Sequence, residues 1–156
     1  GSGAQCCLMH MRGEPRTMQD DPRYDDVVDE VRAFLEQRAA FAVGEGVAPE
    51  RIQLDPGIGF GKGAGHNLEI LRRLSEFTGF GLPVLIGPSR KSFIGKTLGR
   101  ETDQRLYGTA AAVALAVANG AAILRVHDVR EMRDVADMAH AIKHNIAQET
   151  GYDCSS

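Results

Sequence analysis

Short apolar runs alternate along the chain with longer stretches in which apolar residues return at helical spacing. Cys6 to Met11 reads as a buried strand that runs into a polar loop. Asp20, Asp21 and Pro22 supply helix-start chemistry. From Val27, apolar residues recur at Val28, Val31, Phe34, Leu35, Ala39, Ala42 and Val43, which predicts a helix stopped by Gly44 and Gly46. Arg51 to Leu54 predicts a second strand, closed by Asp55-Pro56, and a glycine-rich loop spans Gly57 to Gly65. His66 and Asn67 precede the next helical pattern, Leu68, Ile70, Leu71, Leu74 and Phe77. Pro83 to Ile86 is the third strand, with a helix opening at Phe93, Ile94 and Leu98. Leu106 to Ala118 is an almost pure Ala/Val/Leu helix, and Ala122 to Val126 is the fourth strand. Met132, Val135, Met138, Ala139, Ile142 and Ile146 mark the last helix.

The order is β-α-β-α-β-α-β-α, with strands starting every roughly 30 to 45 residues, as in βαβ units of a parallel sheet. Right-handed crossovers place the helices on one face if the sheet curls, or on both if it is doubly wound. No linker splits the chain, so residues 1–150 are expected to form one domain and 151–156 a flexible tail.

Composition narrows the class. The 156 residues are 43% hydrophobic and 25% charged, enough apolar material for a sizeable core. A net charge of −3 and a pI near 6.0 argue against nucleic-acid binding through overall positive charge. Three cysteines with no CxxC spacing fit neither a disulfide framework nor a zinc site, and point to a reducing cytoplasm. No apolar run is long enough to span a membrane, and no signal peptide is visible. The chain begins with glycine rather than methionine, so it reads as a piece of a longer protein.

Candidate chemistry gathers at the C-terminal ends of the predicted strands, where parallel α/β proteins place their sites. These ends carry Met9, His10 and Met11; Asp55; Ser89, Arg90, Lys91 and Ser92; and Arg125, His127 and Asp128. Asp55 is able to accept hydrogen bonds from an amidine-like ring edge, or merely to cap its turn. The glycine run lacks the spacing of a P-loop, and Lys62 is followed by Gly63 rather than Ser or Thr. It reads as flexible backbone beside a ligand. Phe60 alone reads first as core, and Met9 and Met11 likewise. Lys91 follows a strand directly, and Ser92 falls in a first helical turn, where a hydroxyl and backbone N–H groups are able to hold a carboxylate. Arg125 and His127 alternate along a strand end, which reads either as a fork for a phosphate-type anion or as a surface pair on an edge strand. His10 reads as a satisfied loop histidine, and no spacing specifies a metal site.

Four segments together resemble dihydropteroate synthases: Leu8-Met9-His10-Met11-Arg12-Gly13, Leu54 through Lys62, Gly87-Pro88-Ser89-Arg90-Lys91-Ser92 and Arg125-Val126-His127-Asp128-Val129. They occur in that family's order over nearly the whole chain. The resemblance implies a TIM-type (β/α)8 barrel of which this chain supplies about four βα units, strands 5–8, as a parallel half-barrel. It implies condensation of 4-aminobenzoate with (7,8-dihydropterin-6-yl)methyl diphosphate to 7,8-dihydropteroate and diphosphate in folate biosynthesis, at a site that sulfonamides share. On that basis Asp55, Lys91 and Met9 meet the pterin. Phe60, Arg90 and Ser92 shape the aminobenzoate pocket, and Arg125 and His127 hold the diphosphate. No residue is assigned as catalytic with certainty. Mg2+ is implied on the diphosphate, but the Asn that would serve it belongs to a strand this chain lacks, so no metal ligand is expected here.

The first four strands of the barrel are missing from the pattern. The isolated chain is therefore expected to be inactive or nearly so, and to pair with a second copy or with the missing N-terminal half. The expected partners are the two small substrates, not nucleic acid or membrane. The rival reading is a non-catalytic half-barrel module that binds pterin or diphosphate. A pterin-binding methyltransferase is a third, and the Ser89–Ser92 and Arg125–His127 pairing favours the synthase over it.

Overall fold

A computed structural model describes residues 3–14, 17–18 and 22–146. The order is β1 (Cys6–Met9), α1 (Val27–Gly44), β2 (Ile52–Asp55), α2 (Ala64–Arg72), β3 (Leu85–Ile86), α3 (Ser92–Leu98), α4 (Leu106–Ala118), β4 (Ile123–Leu124) and α5 (Val129–His144). Short 3-10 turns occupy Pro49–Arg51, Leu74–Phe80 and Thr102–Gln104. The alternating order holds. The tail at 151–156 lies outside the described residues.

All strand pairing among the described residues is parallel. β1 lies beside β2, with Cys6 opposite Ile52 and Met9 opposite Asp55. β3 lies beside β4, with Leu85 opposite Ile123. A single parallel bridge, Leu54 to Val84, joins the two pairs, and the Leu54 N–H donates to the Pro83 carbonyl at 3.0 Å. Pairing also runs past the formal strand ends: the His10 N–H donates to the Asp55 carbonyl and the Arg125 N–H to the Ile86 carbonyl, both at 3.0 Å. The strand ends are thereby aligned along one edge.

Successive strand residues face opposite sides of a sheet. Ile52, Leu54, Val84 and Ile86 point into the core with Val28, Val31 and Leu35 of α1, Ile70 and Leu71 of α2, Phe93 and Ile94 of α3, and Ala112 and Ala116 of α4. The alternate positions are less covered: Cys7 is exposed, and Gln53, Leu85 and Ile123 are half-buried. Small residues bring α4 close to its neighbours, and a Cβ on Gly108 would sit 2.3 Å from Ile94 Cγ2. Cys6 and Cys7 are free thiols. No helix among the described residues is long and apolar enough to cross a membrane.

Several expected boundaries shift. α1 begins at Val27, where the Asp26 carboxylate caps it by accepting the Val28 and Asp29 N–H groups at 2.9 and 3.0 Å. Asp26 also receives Arg73 at 2.7 Å, which ties the start of α1 to the end of α2. Asp20 and Asp21 lie outside the described residues, and Pro22 precedes the helix without starting it. α2 starts at Ala64 rather than near Asn67, because the His66 ring reaches back to accept the Gly63 N–H at 3.1 Å. β4 holds only two residues, so Arg125 and His127 stand on the loop beyond it.

Candidate functional site

The glycine-rich loop is not slack. Gly57 and Gly61 adopt positive φ angles of 73° and 63°, which favour glycine. A Cβ on Gly57 would fall 1.9 Å from the His10 carbonyl oxygen, and one on Gly61 would fall 2.3 Å from the Arg12 carbonyl oxygen. These glycines let the chain leaving β1 lie directly on the loop leaving β2. Lys62, only 2% exposed, binds that junction together. Its Nζ lies 2.8 Å from His10 Nδ1 and donates to the Gly57 and Phe60 carbonyls at 3.1 Å each. Burial brings Lys62 down to about 7, with Asp55 opposing and Lys91 reinforcing the fall. His10 drops to about 4 through burial and the nearby Lys62. A neutral His10 ring is thus the acceptor for Lys62. Asn67 completes the seal: Oδ1 accepts the Gly59 N–H at 2.7 Å, and Nδ2 donates to the Gly63 carbonyl at 2.7 Å.

Asp55 emerges from this platform, buried at the end of β2. Its Oδ1 caps the turn by accepting the Gly57 N–H at 2.7 Å. Oδ2 takes no hydrogen bond among the described residues. Burial raises the Asp55 carboxyl above its ordinary value, opposed by the Gly57 N–H and then by Lys91, Arg125 and Lys62. Lys91 is lowered to about 8 by burial, with Asp55 pulling it up and Arg125 pushing it further down. Asp55, Lys91 and Arg125 therefore form one electrostatic cluster. Lys91 donates to the Ile58 carbonyl, and its Nζ stands 4.6 Å from the centre of the Phe60 ring. Phe60 is half-buried, an aromatic wall under a cation rather than the core residue that its sequence setting suggests.

The second pair of strand ends is held by side chains. Gly87 lets Arg125 lie across it, with a Cβ there 3.3 Å from Arg125 Nε. Ser89 Oγ accepts the His127 backbone N–H at 3.2 Å and lies 2.9 Å from His127 Nδ1. Arg90 Nε donates to Asp128 Oδ2 at 3.1 Å, and Arg90 Nη2 also reaches Oδ1. Arg90 has a left-handed φ of 57°, supported from α4: its N–H donates to Thr109 Oγ1 at 3.1 Å, and Arg105 donates to its carbonyl at 2.9 Å.

The structure thus brings Asp55, Lys91, Phe60 and Arg125 together. Met9 is half-buried on the strand beside Asp55, and His127 shares a loop with Arg125. Ser92 is exposed at the first position of α3. The Arg90 guanidinium pairs with Asp128. Lys62 and Asn67 were not among the strand-end candidates, and Ser89 and Asp128 stood there without an assigned role. A cavity of about 510 Å³ is lined by Arg12, Tyr24, Glu30 and His66 among others, outside the Asp55 cluster.

Among the described residues no three His, Cys, Asp or Glu side chains gather to hold a metal ion. The charges beside Asp55 are cations, a donor set that does not fit Mg2+.

A family model described as pterin binding enzyme matches residues 1–127. The dihydropteroate synthase of Escherichia coli K12 is 48% identical over 130 residues, which cover 83% of this chain and 46% of the relative. That of Haemophilus influenzae is 49% identical over 129 residues, 83% of this chain and 47% of the relative. The structure of Yersinia pestis dihydropteroate synthase with a sulfonamide drug complex aligns with a TM-score of 0.88 at 40% identity, covering 91% of this chain and 52% of that one. The Stenotrophomonas maltophilia dihydropteroate synthase, with active site-bound imidazole, gives 0.88 at 42% identity over 93% and 55%. The chain spans about half the length of the curated relatives it matches. It belongs to the pterin-binding enzyme family, and these relatives within it are dihydropteroate synthases.

Proposed function

We propose that this chain carries the strand-end half of a dihydropteroate synthase site, as a parallel half-barrel equivalent to strands 5–8 of a (β/α)8 barrel. The observation that carries the reading is the Asp55–Lys91–Arg125 cluster with Phe60 beneath Lys91. Asp55 Oδ2 accepts from the amino-pyrimidine edge of the pterin, Lys91 contacts its ring, and Met9 lines the floor. Phe60 walls the aminobenzoate position, and the Ser92 hydroxyl takes the carboxylate. Arg90 serves indirectly, through its pairing with Asp128. The helix-facing strand residues are core while their alternates are open, which supports a single curled layer.

In the reaction the C–O bond between the pterin methylene and diphosphate breaks, and its electron pair leaves with the diphosphate. Arg125 and His127 meet the charge that develops there. The amine of 4-aminobenzoate forms the new C–N bond and then loses a proton. Alignment and anion stabilisation matter more here than a strong base. Mg2+ belongs to the proposal only through donors outside these residues, and no step here runs through it.

β1 and β4 each have one strand partner among the described residues, so each offers an unpaired edge. The 156-residue chain by itself is proposed to be inactive or nearly so, and to complete its site by pairing with a second copy or with an N-terminal half. Sedimentation should show concentration-dependent association, and a well-folded monomer at all concentrations would count against it. Calorimetry with pterin-methyl diphosphate and with the unphosphorylated pterin tests the site directly. Arg125→Ala should weaken the diphosphate about tenfold or more and leave the plain pterin nearly unchanged. Equal losses for both ligands would remove Arg125 from the anion end. Turnover by the isolated chain at the rate of a complete synthase would overturn the half-site reading. Binding without turnover, even after an N-terminal half is supplied, would favour a binding module instead.

A further inference from the structure

We infer that Ser89 is a positioning residue: its hydroxyl fixes the His127 ring with Nδ1 as acceptor, so that Nε2 carries the proton and meets the ligand as a donor. The inference rests on the reading that His127 serves the diphosphate. Ser89 itself is 5% exposed, at the end of the β3 loop, whereas His127 is exposed.

A serine hydroxyl offers one proton and two lone pairs. One lone pair takes the His127 backbone N–H at 3.2 Å. The remaining contact is His127 Nδ1 at 2.9 Å, and Ser89 Oγ has no other acceptor within hydrogen-bond distance among the described residues. Its proton therefore goes to Nδ1. The opposite arrangement, Nδ1–H pointing at the second lone pair, would strand a hydroxyl proton in a buried place, which is costly. A neutral imidazole that accepts at one nitrogen carries its proton on the other. Nε2–H is then the donor suited to a diphosphate oxygen; the other tautomer would turn a lone pair toward the anion.

The surroundings keep Ser89 in position. Its neighbour Arg90 is pinned through its backbone by Thr109 and Arg105, and through its guanidinium by Asp128. Ser89-Arg90 thus grips His127-Asp128 at two successive residues across neighbouring strand ends. Arg90 supplies the register and Ser89 the ring orientation.

The test is 15N-detected imidazole NMR on the full chain at about pH 8, where an ordinary histidine is neutral. His127→Ala assigns the signal. The wild type should show a pyridine-like Nδ1 and a pyrrole-like Nε2 at His127. Ser89→Ala should convert this to a tautomer mixture, and Ser89→Thr, which keeps the hydroxyl, should restore it. Inorganic pyrophosphate, titrated calorimetrically, should bind Ser89→Ala about five- to tenfold more weakly than wild type. A pyrrole-like Nδ1 in the wild type overturns the inference without any variant. So does an unchanged tautomer, or unchanged pyrophosphate affinity, in Ser89→Ala. If His127→Ala leaves pyrophosphate binding intact, the anion role of His127 falls instead, and the tautomer result stands separately.

Discussion

The two pairs of strand ends are built by different means. At the β1–β2 end the parts are backbone: glycines admit the carbonyls of His10 and Arg12, and buried Lys62 gathers carbonyls and a ring nitrogen. At the β3–β4 end the parts are side chains: Ser89 on His127 and Arg90 on Asp128, around an exposed loop. The first end holds its shape through steric fit and low solvent access. The second holds through polar pairs in which Ser89 is buried while Arg90, His127 and Asp128 are partly or fully open to water. A closely packed platform thus carries Asp55, while Lys91 and Arg125 face it from the other end.

The contrast predicts a graded response to substitution. Gly57→Ala should be the most damaging, because the new Cβ overlaps the His10 carbonyl at a positive φ. A loss of about 3 kcal/mol or more in urea unfolding is expected, and a loss below about 1 would show that the platform yields easily. Lys62→Met should cost about 2 kcal/mol near neutral pH, since it leaves His10 Nδ1 and two carbonyls without a donor.

Lys62→Met should also change how stability depends on pH. Lys62 gives up its proton near 7 in the fold against 10.5 ordinarily. Between those values the unfolded chain binds more protons, so wild-type stability rises with pH across that window. Lys91, lowered to about 8, adds to the upper part of the rise. His10 acts in the same sense lower down: stability falls as pH drops from 6.5 through about 4. Asp55, raised by burial, opposes this just above the ordinary carboxyl value of 3.8. Urea midpoints measured across the alkaline window should show the slope in wild type and a shallower one in Lys62→Met. Equal slopes would mean that Lys62 keeps an ordinary affinity for its proton.

At the second end the effects should be smaller. A double-mutant cycle on Arg90 and Asp128 should give a coupling of about 1 kcal/mol that shrinks with added salt. A coupling as large as the Lys62 effect would erase the distinction between the two ends. On the rim of the first end, away from its packed junction, Phe60→Leu should be the mildest of all, about 0.5–1 kcal/mol from the lost contact with Lys91. On the proposed reading, in which Phe60 walls the aminobenzoate position, it should weaken that ligand's binding more than it weakens the fold.

Much of this was readable from the residues alone. The Leu106–Ala118 helix falls where its composition puts it, because a run of small apolar residues stopped by Asn119-Gly120 leaves little choice. The strand ends were legible because βα alternation sends each strand's last residues to one edge. Lys62 was not, since a lysine among glycines looks solvated until the β1 chain is laid across it. Asn67 was misplaced because a glycine N-cap depends on the His66 ring reaching back. The Arg90–Asp128 pair was not legible, because the two residues are distant in sequence and close only once β3 and β4 are paired.

One joint sets the mechanical character of the molecule. Among the described residues the two strand pairs share one backbone bridge, Leu54–Val84, while each pair has its own ladder. Asp55 stands on one leaf, and Lys91 and Arg125 on the other, with the Lys91 bond to Ile58 as a stitch between them. A molecule seated on all three residues would act as a clasp across the fold line. Its binding should slow amide exchange at Leu54, whose N–H lies in that joint, more than at Leu8 or Leu124, which sit inside the leaves.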